Sequence, residues 1–306
     1  MTTEYLPEGE LIKLPQNALH TANITALEEI MKKGVIAEGI CTICDSNHNL
    51  IVDLGFGKGI IPRNEGAKGI EDGSTRDIAL ISRVNKPVSF MVKRITKDNG
   101  IILSRKDAQE KCINEYISKL KCGNVINSKV THLEPFGAFV DIGCGIPSLI
   151  PIDLISVSRI SHPSDRFTVG QNIKAVVKST ESGKITLTHK ELLGTWEENA
   201  SLYSIGETVT GIVRSVESYG IFVELTPNLA GLAEVKEGVE VGNMVSVYIK
   251  AIIPDKMKVK LIIVDSFAPQ NNKKPLGYKY FSNEENIESW IYSTDSCSKN
   301  VRTDFV

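Results

Sequence analysis

Pro135-Phe-Gly-Ala-Phe-Val-Asp141 and Ser218-Tyr-Gly-Ile-Phe-Val-Glu224 are two versions of one strand. Aligning Gly123 with Gly206 and reading forward without a gap places Val130 on Val213, Phe136 on Tyr219, Gly137 on Gly220, Phe139 on Phe222 and Asp141 on Glu224. Downstream, Leu149-Ile150 matches Leu232-Ala233, and Val169-Gly170-Gln171 matches Val241-Gly242-Asn243. Each copy ends in two apolar runs around a polar turn. A more divergent copy precedes them: Asn49-Leu-Ile-Val-Asp53 stands for the strand, Gly59-Ile-Ile-Pro62 for Ser148-Leu-Ile-Pro151, and His48 and Ile51 replace the two aromatics. Internal repetition at this period announces an array of small units. Short β runs with Gly-rich turns, about five per copy, fit a small closed barrel, which also removes exposed strand edges.

The predicted fold class is therefore mainly β, with three tandem five-stranded barrels joined by short helices. The expected layout is an N-terminal arm over 1–33, a divergent repeat over 34–105, a helical linker over 106–122 and a second repeat over 123–192. A short linker over 193–205, a third repeat over 206–266 and a weakly folded tail over 267–306 follow. Ala108, Cys112, Tyr116, Ile117 and Leu120 have near-helical spacing, with Gly123 as a stop. Thr195-Trp-Glu-Glu198 is a capping box that opens a helix, with Trp196 as a packing anchor, and Thr25-Ala-Leu-Glu28 is a second such pattern before Gly34. Beyond Phe267 the polar composition supports at most a short helix near Ile287–Tyr292.

The pattern Gly-x-Val, Phe-Gly-Ala-Phe-Val-Asp, Leu-Ile-Pro, Val-Gly-Gln and Lys-Ile-Thr-Leu-Thr resembles the S1 RNA-binding repeat family strand by strand. Over roughly 34–265 the chain is similar to multi-repeat ribosomal protein S1 homologues of Firmicutes-type bacteria. That resemblance implies an OB-fold barrel in each repeat and binding of single-stranded RNA, mRNA in translation, with the ribosome as a further partner. It also shows departures. Many S1 repeats carry a histidine on the RNA face of the third strand, where this sequence has Pro151 and Glu234. The Asp before the family's last strand has a counterpart in Asp255, but repeat two has Thr180 or a neighbour there.

Single-stranded RNA offers base faces and a charged backbone, so a binder needs flat side chains and cations. Phe136, Phe139, Tyr219 and Phe222 are the stacking candidates. Residues three apart face opposite ways on a flat strand, so Gly137 and Gly220 are expected to bend it and turn both rings outward; otherwise the rings belong to the core. Strand alternation puts Lys256, Lys258 and Lys260 on one face and groups Lys184, Thr186, Thr188 and Lys190 on another. The same stripes would also suit lysines protecting a solvated strand. By resemblance, Lys184 and Lys258 match the family's basic RNA-face position. His162, in Ser161-His-Pro163, suits either RNA contact or a turn, and Arg159 and Arg166 flank it with positive charge. Repeat one, without stacking residues, suits a protein partner such as the ribosome, or a scaffold.

Thirty-five Lys and Arg against 37 Asp and Glu leave almost no net charge, so any RNA affinity must be local rather than a bulk attraction. The sequence has no Gly-x-Ser-x-Gly elbow, phosphate loop or His-Glu-x-x-His, and Gly55-Phe-Gly-Lys-Gly59 lies between strands with no helix to cradle a phosphate. No enzyme activity, cofactor or small-molecule substrate is expected. Cys41 and Cys44 have metal-like spacing, but they lie in a strand-like run with no second pair, so structural thiols are expected. No apolar run approaches the roughly 18–20 residues of a membrane span, and the polar start lacks a secretory pattern, so a cytoplasmic location is expected. The rival reading is a protein-interaction adaptor with RNA binding secondary; exposed rings favour RNA and buried rings favour the adaptor.

Overall fold

The computed structural model describes residues 5–98, 100–268 and 277–305. Three closed barrels appear in chain order. The first uses β1 (Ala37–Cys44), β2 (Leu50–Asp53), β3 (Lys58–Ile61), β4 (Lys86–Ile95) and β5 (Ile101–Ser104). The second uses β6 (Val125–Glu134), β7 (Gly137–Asp141), β8 (Pro147–Pro151), β9 (Asn172–Ser179) and β10 (Thr186–Thr188). The third uses β11 (Thr208–Glu217), β12 (Gly220–Thr226), β13 (Leu229–Ala233), β14 (Met244–Ile253) and β15 (Lys258–Phe267). All three share one topology, an antiparallel meander of three strands closed by a fifth strand running parallel to the third, as in Leu232 paired with Lys260. In β15, Val259, Leu261 and Ile263 face the core while Lys258, Lys260 and Ile262 face outward, the period of two that strand geometry requires. Each buried aliphatic side chain contributes about 1.5–3 kcal/mol.

Contacts divide the chain into two units. One comprises Met1–Leu120, Asn127–Lys129 and Asp141–Pro147; the other comprises Lys121–Ile126, Val130–Val140 and Ser148–Val306. In the first unit, α1 (Pro15–His20) and α2 (Ile24–Lys33) precede the barrel, and α3 (Ile78–Ile81) lies between β3 and β4. Helix α2 starts two residues earlier than its sequence pattern indicates, because Asn23 rather than Thr25 caps it by accepting from the Ala26 amide; Gly34 ends it with φ 63°. Helix α4 (Arg105–Glu115) is capped by Ser104 and stops at Tyr116, short of Gly123. Arg105 is buried and donates to both carboxylate oxygens of Glu8, which also receives Arg83. Asp141, the last residue of the repeated strand motif, accepts from the amides of Glu8, Gly143 and Gly145, and burial raises its pKa to about 7.

In the second unit, α5 (Trp196–Ala200) forms with its capping box intact, Thr195 and Glu198 bonding reciprocally, and Trp196 is buried. Residues 277–305 depart from the expectation of a weakly folded tail over 267–306, of which 269–276 and 306 lie outside the described residues. Where a short helix was expected there is a two-stranded sheet, β16 (Ser289–Ile291) with β17 (Arg302–Asp304). Ile287, Trp290, Tyr292 and Phe305 enter the same core as the third barrel. These apolar residues recur at no single period, so a polar average hides them.

The same segment seals a buried histidine. His189 points Nδ1 at the Ile155 carbonyl, 3.1 Å away, so that nitrogen carries the proton; Nε2 lies 3.3 Å from the Tyr280 hydroxyl and accepts from it. The Phe167 and Tyr278 rings pack edge-on against the imidazole. Burial, with Arg166 nearby, depresses the His189 pKa from 6.5 to about 4. A neutral buried imidazole of this kind contributes stability that is complete above pH 6.5 and is lost as pH falls toward 4. Between pH 7 and 5 this group alone is expected to remove about 2 kcal/mol from the second unit. Denaturant unfolding of wild type and His189→Gln at both pH values checks it: the variant should lose about that much less on acidification, and equal losses would contradict the assignment.

Candidate functional site

The two aromatic pairs share one geometry. In each hairpin the first ring sits at the second position of a two-residue turn, Pro135-Phe136 or Ser218-Tyr219, and the second ring sits on the strand that follows. The turn thus carries the first ring of each pair, and the strand beyond the glycine carries the second beside it. Phe136 is 56% exposed and Tyr219 is 69% exposed; Phe139 and Phe222 are half-buried beside them. Ring centroids lie 6.0 Å apart at 89° in one pair and 6.2 Å apart at 87° in the other, both edge-to-face. The intervening glycines serve close approach. A Cβ on Gly137 would stand 2.5 Å from the Ile150 carbonyl oxygen, and one on Gly220 would stand 2.7 Å from that of Ala233. His132 adds a third ring 6.4 Å from Phe139; the repeat motif does not include it, and in sequence only its place on the strand before the motif marks it.

Register fixes what stands beside the rings. In the third barrel Ser215, Phe222, Leu232 and Lys260 form one row across four strands. Tyr219 and Phe222 open onto a groove of about 690 Å³ that is also lined by Lys256 and Lys258. The strand begins only at Lys258, so Lys256 is not on its face: it ends a 3-10 turn (Pro254–Lys256), and Met257 follows with φ 46°. Reversing the chain there costs the first step of the expected alternation, yet both lysines still reach the groove. The second barrel also departs from the expected stripe. Strand β10 spans only Thr186–Thr188; exposed Lys184 precedes it and Lys190 begins a 3-10 turn after it. Thr188 points inward and bonds Glu191 and the Leu154 carbonyl, so the four residues do not share one outer face.

His162 caps a 3-10 turn, its Nδ1 accepting from the Ser164 amide. Arg166 adds no surface charge. It is fully buried and donates to Glu224 Oε2 at 2.7 Å, while Arg214 donates to the same oxygen at 2.6 Å and pairs with Asp165 at 3.1 Å. The motif's terminal acid thus anchors the junction of the second and third barrels rather than facing outward. Arg159 remains exposed.

The first barrel presents a different face. Ile43, Ile51, Ile60 and Ile102 occupy the row that Ser215, Phe222, Leu232 and Lys260 occupy in the third. Ile43 is 49% exposed and Ile60 40%. His48 stands in a longer turn organised by Asp45, with φ 61°. Cys41 is buried and Cys44 half-buried, and burial raises both thiol pKa values, which favours the protonated form over a metal-binding thiolate. Among the described residues no helix is long and apolar enough to cross a membrane.

Residues 119–190 match the S1 RNA binding domain family. The small ribosomal subunit protein bS1 of Leuconostoc lactis is 35% identical over 196 residues, covering 61% of this chain and 44% of that protein. The bS1 protein of Chlamydia muridarum is 32% identical over 203 residues, covering 60% and 36%. The bS1 homolog of Bacillus cereus is 31% identical over 244 residues, covering 74% and 62%. The chain thus matches between 36% and 62% of the length of these relatives.

Proposed function

Because residues 119–190 belong to the S1 RNA binding domain family and the chain around them resembles the bS1 ribosomal proteins, we propose that it binds single-stranded RNA, as an mRNA binder in translation. The observation that carries this reading is the pair of ring sets, exposed Phe136 beside half-buried Phe139 and exposed Tyr219 beside half-buried Phe222, built alike on two barrels. Every base has a face to stack, and each stacked base is worth about 1–3 kcal/mol. Micromolar binding requires about 8 kcal/mol, so one pair falls short, and two linked pairs with flanking lysines reach that range through raised effective concentration. Lys184, Lys190, Lys256, Lys258 and Lys260 supply backbone contacts in this reading, and His162 lies at the margin.

A titration of the full chain into a labelled, unstructured pyrimidine-rich RNA, and into the duplex of that strand, tests the proposal. Tight binding to the single strand with a modest salt slope supports it. Equal binding to both, or a steep slope that accounts for all affinity, points to charge alone.

The isoleucine row on the first barrel favours a second reading for that repeat, contact with a protein partner such as the ribosome. His48→Ala with Ile51→Ala is expected to change RNA affinity by less than about twofold, since no stacking ring is removed. Ile51→Glu with Ile60→Glu is expected to lower co-sedimentation with ribosomes. Unchanged co-sedimentation would leave the first barrel as a scaffold.

A further inference from the structure

The groove beside Tyr219 and Phe222 is not made by the third barrel alone. Its lining includes Tyr292, Lys299 and Val301 from the C-terminal segment, a stretch outside the repeat motif. The segment is held firmly at this place. The Tyr292 hydroxyl donates to the Asn228 carbonyl at 2.6 Å, and the Trp196 amide donates to the Tyr292 carbonyl at 3.1 Å. Thr294 donates to the Pro254 carbonyl at 2.9 Å, which ties the loop carrying Lys299 to the turn carrying Lys256. At the loop's far end the Val301 amide bonds Ser293, and the Tyr292 amide bonds the Val301 carbonyl. Among the described residues no carboxylate lines the groove: its charged groups are Lys256, Lys258 and Lys299, and of its four aromatic side chains Trp196 and Tyr292 are buried while Tyr219 and Phe222 present their rings.

We propose that the C-terminal hairpin is a functional wall of the third barrel's RNA groove, with Lys299 neutralising a backbone phosphate of the strand whose bases stack on Tyr219 and Phe222. This rests on the RNA-binding reading above and extends it to a residue that the repeat does not supply. Three ammonium groups offer only donors and positive charge, which suits phosphate oxygens. The aromatic pair in the same groove sets the class of ligand as a nucleic-acid strand rather than a free anion. Exposed Lys299 is a surface position whose replacement leaves the core untouched.

The test is fluorescence anisotropy of a labelled oligouridylate with the full chain, across a salt series. Lys299→Ala is expected to weaken binding on the order of fivefold at low salt and to reduce the slope of log K against log salt by about 0.7, the value for one phosphate contact on a single strand. Lys299→Arg should bind like wild type, and Lys250→Ala, an exposed cation outside the groove lining, should change affinity by less than twofold. If Tyr219→Ala with Phe222→Ala weakens binding but Lys299→Ala does not, the hairpin is only structural and this proposal falls while the RNA reading stands. If Lys250→Ala matches Lys299→Ala, the charge effect is diffuse and the proposal also falls. Absence of wild-type binding overturns both.

Discussion

Replacing Glu224 by Gln is expected to destabilise the second unit by about 3–5 kcal/mol, the largest effect of any single change considered. Oε2 of Glu224 holds two guanidiniums, Arg166 at 2.7 Å and Arg214 at 2.6 Å, and both Arg166 and Glu224 are fully buried. The amide keeps the shape and removes the charge, so Arg166 remains in low dielectric without its counter-ion. Arg214 loses less, because Asp165 stays beside it. Denaturant unfolding measures the difference. The double variant Arg166→Met/Glu224→Gln should recover part of the loss, since no unpaired Arg166 charge remains; a double variant as unstable as the sum of the two singles would show that the charges do not act as a pair.

The second large effect concerns binding. Phe139→Ala with Phe222→Ala removes one ring from each pair, worth about 1–3 kcal/mol apiece, so RNA affinity should fall at least about thirtyfold. Phe139→Leu with Phe222→Leu separates stacking from packing: it keeps apolar volume but removes the flat face, and should lose nearly as much affinity with little loss of stability. A leucine variant that binds like wild type would place the rings in a packing role.

Most of the barrel fold was legible because it rests on local rules repeated in sequence. An aromatic-Gly-x-Phe-Val run followed by an acid recurs, with Phe136 or Tyr219 as its first ring, and the turn that places that ring is encoded within a few residues of it. Strand alternation was a poorer guide at strand ends, where the 3-10 turns at Pro254–Lys256 and Lys190–Leu193 take Lys256 and Lys190 out of the pattern. The least legible features are those settled by distant partners. Arg166 reads as surface charge beside His162 until Glu224, 58 residues away, is brought to it. Tyr280 and Tyr292 read as stray aromatics in a polar tail until His189 and Asn228 supply their hydrogen-bond partners. The motif's last acid is legible in position but not in role, for Asp141 and Glu224 are both buried at junctions and Asp53 is exposed.

Photo-crosslinking of a 4-thiouridine-substituted single strand to the full chain, with the attached residues mapped by mass spectrometry, locates the RNA on the barrels residue by residue. Crosslinks concentrated on Phe136, Phe139, Tyr219 and Phe222, with none on His48–Asp53, are the expected result. Crosslinks absent from both aromatic pairs, or confined to the first barrel, would show that the RNA does not stack on these rings.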